Sequence, residues 1–226
     1  MFSSLLLLAA LAAPGGVDVI TRDQTVRVQF YAPDIVRVLK WTASGSPDTR
    51  SLVVTARPDP AGPVTRQDTA DAVTLASPRL RVRVSRTDGV VRFETPQGKS
   101  VLAEARPAVF TPLLTPHEKT SSVAQSFALS PEEALYGLGQ HQDGLMNYRG
   151  HTVKLVQSNT DAVTPVLVST FGWGLLWDND SKTQFEDGAS GASLWSEIGD
   201  NLDYYFLLGP ALDAVVGGYR RLTGQA

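Results

Sequence analysis

Two runs near the amino end, VRVQFY at 26–31 and IVRVLKW at 35–41, alternate apolar and polar residues with a period of two. An extended strand with one buried and one wet face is the backbone that sorts such a pattern onto opposite sides. LRVRVS at 80–85 repeats it, and VVRFE at 90–94 follows after Thr87, Asp88 and Gly89. Asp-Gly between alternating runs is a hairpin signal, so 80–94 reads as two antiparallel strands, and in all of these alternating runs the arginines are expected on the wet face. Shorter strands are expected at 52–56, 101–105, 152–157, 166–169, 174–177 and 202–208. Pro, Gly and Asp recur between them, which favours a large antiparallel sandwich over alternating strands and helices. The 226 residues suffice for one such domain.

Two segments break this rhythm. Ser130 is a capping residue followed by Pro131 and two acids, Glu132 and Glu133, so a short helical turn is expected before Leu135. Residues 210–222 place Leu212, Val215, Val216, Tyr219 and Leu222 on or near one helical face, with Arg220 and Arg221 in the last turn and Gly224 as a stop. The amino end carries a third pattern. An apolar run at 5–11 leads into Ala10-Leu-Ala12, a small-x-small cleavage signature, and is too short to span a bilayer. The expected division is therefore a signal peptide at 1–12, a β-sandwich at 13–209 and a helix at 210–226, in a secreted or periplasmic protein. Because the chain stops directly after that helix, a continuation beyond it is expected.

Composition narrows the chemistry. With no cysteine, the chain has no disulfide, no thiolate nucleophile and no Cys-ligated metal, and an exported form must draw its stability from core burial. A net charge of -3 gives no electrostatic reason to expect nucleic acid or an anionic membrane as partner. His117, His141 and His151 lack ligand spacing, so no metal site is expected. The glycines around Leu138 match neither a Rossmann nor a Walker pattern and read as turns or close-approach positions, and no cofactor is implied. Ser190 reads as a loop residue outside any Gly-x-Ser-x-Gly elbow.

The segment ALYGLGQHQDGLMNYRG at 134–150 gathers aromatic, amide, imidazole, carboxylate and guanidinium groups between glycines, yet holds no nucleophile with a base. From there, LYGLGQHQ, NYRG at 147–150, QSNTD at 157–161, PVLVS at 165–169, GWGLLWDN at 172–179 and DYYF at 203–206 follow one another in order. In that order they resemble the amino-terminal domain of glycoside hydrolase family 31, in particular its α-xylosidase-like members. The resemblance covers the second half of the chain. It implies an all-β, antiparallel galactose-mutarotase-like β-sandwich with a C-terminal linking helix, followed in the family by a catalytic (β/α)8 barrel that is absent from this chain. It also implies a retaining mechanism whose two aspartates sit on that barrel, so no catalytic residue is expected here. The implied partners are an α-linked glycoside or oligosaccharide and the barrel of the same polypeptide.

In the family a sandwich loop reaches over the barrel mouth, and the acid of its Asn-x-Asp segment contacts substrate. The matching residues are Asn159 and Asp161: Asp161 would accept a hydrogen bond from a substrate hydroxyl and Asn159 would support it. The same residues also fit a turn in which either side chain bonds its own backbone. Trp173, Trp177, Trp41 and Trp195 read as sandwich core. Arg149 reads as the partner of Asp143 or Asp161, His141 and Gln142 as barrel-facing or solvated, and 178–180 as a hairpin turn. Residues alone leave open a free-standing carbohydrate-binding or mutarotase-like sandwich without hydrolase activity, and equally a purely structural domain.

Overall fold

A computed structural model describes residues 15–114, 119–188 and 191–225. In chain order its strands are β1 Gly16–Ile20, β2 Thr25–Ala32, β3 Ile35–Trp41, β4 Thr65–Asp68, β5 Ala72–Ala76, β6 Arg81–Ser85, β7 Val91–Glu94, β8 Ser100–Glu104 and β9 Val109–Leu114. They continue as β10 Lys119–Ala128, β11 Leu135–Gln140, β12 Thr152–Leu155, β13 Ala162–Ser169, β14 Trp173–Trp177, β15 Thr183–Gly188, β16 Gly191–Gly199 and β17 Leu202–Leu208, and end in helix α1, Leu212–Thr223. One sheet runs β1-β2-β3-β17-β14-β13-β11; the other runs β12-β15-β16-β10-β8-β7-β6-β5-β4, with β9 also on β10. All the pairings are antiparallel.

The two sheets close on one main core. Val26, Val28 and Phe30 of β2, Val36 and Val38 of β3, and Tyr204 and Phe206 of β17 face Val82, Val84, Phe93 and Phe127 of the opposite sheet. Phe93 and Phe206 stack across the gap with ring centroids 4.0 Å apart. Each such side chain taken out of water contributes on the order of 2 kcal/mol, so the alternating pattern is the main organising force. Trp173 and Trp177 are 0% and 1% exposed, in keeping with a core role. Trp41 and Trp195 are only half-buried, lying under the cations of Arg27 and Lys182 respectively.

A second, smaller core lies on the outer face of the first sheet. Ile35, Val166, Val168, Leu176, Tyr205 and Leu207 are covered there by Val215 and Leu222 of α1 and by the flanking Val54 and Ala56. This double burial explains why β14 and most of β17 read as continuous apolar runs. It also corrects the expectation that the strand arginines point to water: Arg37 lies on this covered face and is bound bidentately to the buried Asp203.

Three further expectations are corrected. Residues 52–56 form no strand; Thr55 and Ala56 instead donate their N–H groups to the Leu222 carbonyl at the end of α1, which uses them as a cover rather than a ladder. Residues 131–134 are a turn without a helix: Glu133 accepts the Ser130 N–H at 2.8 Å as at a helix start, but the N–H groups of Ala134 and Leu135 go to Thr170 and Asn147 instead of the preceding turn. Residues 178–180 do not close a hairpin: β14 and β15 belong to different sheets, so the segment crosses between them. The apolar leader at 1–12 and the residues His117 and Ser190 lie outside the described residues. No helix among the described residues is long and apolar enough to cross a membrane.

Candidate functional site

The segment 134–150 begins with β11 at the edge of the first sheet, where among the described residues β11 pairs only with β13. Their register jumps between Gly137, opposite Leu167, and Gly139, opposite Val163. The bulge places Pro165, which has no N–H to give a ladder, among the extra residues of β13. On β11 three consecutive residues take positive φ: 109° at Gly137, 61° at Leu138 and 104° at Gly139. A Cβ at Gly137 or Gly139 would stand 2.2 Å from the Val166 carbonyl oxygen or 2.0 Å from that of Ala162, so only glycine fits either position. Leu138 is held in its left-handed conformation by burial of its side chain, 1% exposed, in the main core.

This turn directs the Leu138 carbonyl towards His141, whose Nε2 lies 3.0 Å away. The other ring nitrogen, Nδ1, lies 3.2 Å from Asp161 Oδ1. Asp161 ends the connection between β12 and β13, and its second oxygen accepts the Ser158 hydroxyl at 2.9 Å. The Ser158 N–H also donates to the Asp161 carbonyl at 3.3 Å, closing a turn, while the Gln157 side-chain oxygen accepts the Val163 N–H at 3.1 Å. The His141 side chain is 6% exposed and that of Asp161 32%. Asn159 is exposed, and the contacts to the Asp161 carboxylate come from His141 and Ser158. A carboxylate offers about four lone-pair positions, so Asp161 keeps acceptor capacity towards solvent.

Beside this loop a cleft of about 560 Å³ opens at the end of the sandwich, lined by Leu155, Gln157, Val163, Pro165, Asp178 and Ile198, among others. Asn147 and Arg149 of 134–150, with the neighbouring Glu133, are tied into the fold, while Gln140 and Gln142 are exposed. Asn147 Oδ1 accepts the N–H groups of Leu135 and Arg149. Arg149 bonds Asp187 at 2.7 Å and the carbonyls of Ser130 and Glu133, so it is a structural ion-pair residue, with Asp187 in place of the expected Asp143 or Asp161. Glu133 accepts from Ser169 and from the Trp173 indole, and is 5% exposed. Among the described residues no three His, Cys, Asp or Glu side chains gather to hold a metal.

The sequence motifs led to Asp161 but missed its link to His141. The signal for that link is indirect: a residue two positions beyond a Gly-Leu-Gly turn is carried to the strand edge, and the partner becomes visible only once β11 and β13 are paired in register.

A family model for the glycosyl hydrolase 31 N-terminal galactose mutarotase-like domain matches residues 25–186. An alpha-xylosidase of Saccharolobus solfataricus is 33% identical over 211 residues, which cover 89% of this chain and 28% of that protein. Alpha-glucosidase 2 of Bacillus thermoamyloliquefaciens is 25% identical over 218 residues, 88% of this chain and 26% of that protein. Among solved structures, the GH31 alpha-xylosidase of Xanthomonas citri superposes with a TM-score of 0.85 at 22% identity, over 95% of this chain and 40% of that one. A GH31 alpha-xylosidase from a soil metagenome, solved with xylose, gives 0.78 at 20% identity, over 93% of this chain and 35% of that one. At these identities the superpositions show the shared sandwich, and the chain spans well under half the length of these relatives. On the family match across most of its strands, the chain belongs to the glycosyl hydrolase 31 N-terminal galactose mutarotase-like domains.

Proposed function

We propose that this chain is the amino-terminal sandwich of a retaining α-glycosidase of the α-xylosidase type, shaping access of an α-linked glycoside or oligosaccharide to a barrel on the same polypeptide. The chemistry belongs to two aspartates on that barrel. The sandwich contributes Asp161 as acceptor for a substrate hydroxyl, with Asn159 at the exposed crest of the same loop, and α1 leads towards the barrel. Domain limits of 13–209 for the sandwich and 210–226 for the link go with this reading, as does a cleaved leader at 1–12 that exports the protein to the periplasm or the medium.

The observation that carries the proposal is Asp161 itself. Its two oxygens are oriented by His141 and Ser158, yet a third of its side chain faces solvent. Such an oriented, half-open carboxylate suits a sugar hydroxyl, which needs a fixed acceptor. The similarity in sequence to an alpha-xylosidase supports the substrate class.

The test begins with the reading frame beyond Ala226. In the polypeptide it encodes, Asp161→Ala should raise KM for an aryl α-xyloside about tenfold, the loss of one hydrogen bond to a charged group, with a smaller change in kcat. The 226-residue chain alone should not hydrolyse that glycoside. An unchanged KM in the variant, or turnover by the isolated chain, defeats the proposal.

A further inference from the structure

Hydrogen-bond accounting at His141 leads beyond the loop it touches. Both ring nitrogens face oxygens that can only accept: the Leu138 carbonyl at 3.0 Å and the Asp161 carboxylate at 3.2 Å. A neutral imidazole has one N–H and one lone pair, so one of these contacts would set lone pair against lone pair. The imidazolium donates to both. Among the described residues no other group bonds either ring nitrogen, and the ring of Tyr148 stands edge-on with centroids 6.4 Å apart. Asp143, two residues along, accepts the Leu145 N–H. Asp161 is thus the only charged group in contact with the imidazole among the described residues.

The two acceptors differ in how freely they can move. The Leu138 carbonyl is fixed by the three positive-φ residues and by the Leu138 side chain in the core. Asp161 sits on an exposed connection tied by Ser158 and Gln157. When His141 loses a proton, the ring keeps its bond to the immobile carbonyl and Asp161 is the partner released.

We propose that His141, charged and donating from both ring nitrogens, is the positioning residue that aims Asp161 at substrate, so that the 156–161 loop is ordered when the imidazole is protonated and released when it is neutral. This rests on Asp161 meeting substrate, as proposed above. The Gly-Leu-Gly turn then has a purpose that sheet pairing does not explain: it presents one fixed acceptor that holds the imidazole while the other nitrogen grips the carboxylate.

The experiment is a long-range proton-nitrogen NMR titration of the 226-residue chain from about pH 5 to about pH 8, the range in which imidazoles change charge. Both His141 ring nitrogens should carry protons at the acid end, and the amides of Ser158, Asn159 and Asp161 should move in step with the ring. A single neutral tautomer throughout, or loop amides that ignore the ring, overturns the proposal, and neither result depends on any variant folding. Binding of methyl α-D-xyloside by the longer polypeptide that the reading frame encodes separates the two readings. His141→Phe should weaken it about tenfold at the acid end, and His141→Gln, which keeps one donor, should lose less. If Asp161→Asn binds like the parent chain while the ring and the loop titrate together, the substrate role falls and the positioning role stands. If Asp161→Asn loses binding and His141→Phe does not, the positioning role falls.

Discussion

Lys40 of one sheet and Glu104 of the other meet at 2.6 Å in the centre of the sandwich, with neither side chain exposed. Burial pushes the lysine down and the glutamate up, and their mutual attraction opposes both shifts. The geometry favours the ionised pair. The three ammonium protons have three acceptors, in Glu104, the Gly89 carbonyl and Gln125, and the carboxylate takes Lys40, the Val91 N–H and the Tyr204 hydroxyl. Lys40→Met leaves that carboxylate buried without its cation, so we expect a loss of about 3–5 kcal/mol in urea unfolding. The double variant Lys40→Met, Glu104→Gln should cost less than the sum of the single changes. Strict additivity would mean that the pair is not coupled.

Asp203 makes the stability of the fold depend on pH. Burial is the largest influence on this carboxyl and pushes it up to about 6, with the bonded Arg37 opposing. An unfolded aspartate titrates near about 4. Between these values the folded chain holds a proton that the unfolded chain has released, so this contribution to stability is full below the window and is lost as pH rises through it. The stability of the parent chain relative to Asp203→Asn should therefore fall by up to roughly 3 kcal/mol between pH values of about 4 and about 7. The variant also removes the partner of Arg37, which adds a nearly constant offset. A pH-independent gap between the two proteins would refute the expectation.

Gly139 and Gly144 separate two reasons for using glycine. Both have positive φ, 104° and 74°, but a Cβ on Gly139 would collide with the backbone of Ala162 and Thr164, whereas one on Gly144 meets nothing within 4 Å. Gly144→Ala should cost only the backbone preference, about 1 kcal/mol. Gly139→Ala must also displace β13, and should cost at least about 3 kcal/mol in the same denaturation assay. Equal effects would show that the β11–β13 bulge yields easily.

The contrast between strands that could be read and strands that could not has a physical source. β2 and β6 place Val and Phe inward and polar residues outward, and β3 does so at Val36, Arg37 and Val38, so their period is visible. β10 is the longest strand and escapes notice because its buried residues include Ser122, Gln125 and Ser126, polar side chains that interrupt the apolar pattern on both of its faces. Gln125 is needed by Lys40, and Ser126 accepts from Arg106. β15 and β16 hide in the same way, through a hydroxyl pair of Thr183 and Ser196 at 2.6 Å beneath the Trp177 indole. At the site, the Asn-x-Asp pattern singles out a carboxylate, while the orientation of that carboxylate depends on a histidine 20 residues earlier that only strand pairing brings near.

Helix α1 supplies the sharpest contrast between neighbouring residues. Val215 is 0% exposed and Val216 49%, although they differ by one step along the same helix. Val215 points into the second core so closely that a Cβ on Gly174 of β14 would lie 2.4 Å from its Cγ1. Removing its two methyl groups by Val215→Ala opens a cavity against the outer face of the first sheet and should cost about 2 kcal/mol. Val216→Ala exposes no core and should stay within about 0.5 kcal/mol. If the helix were only an appendage to the sandwich, both changes would be silent in a global unfolding transition. A loss confined to Val215→Ala, carried by the same single transition as the sheets, shows that α1 folds as part of the sandwich and completes its outer layer.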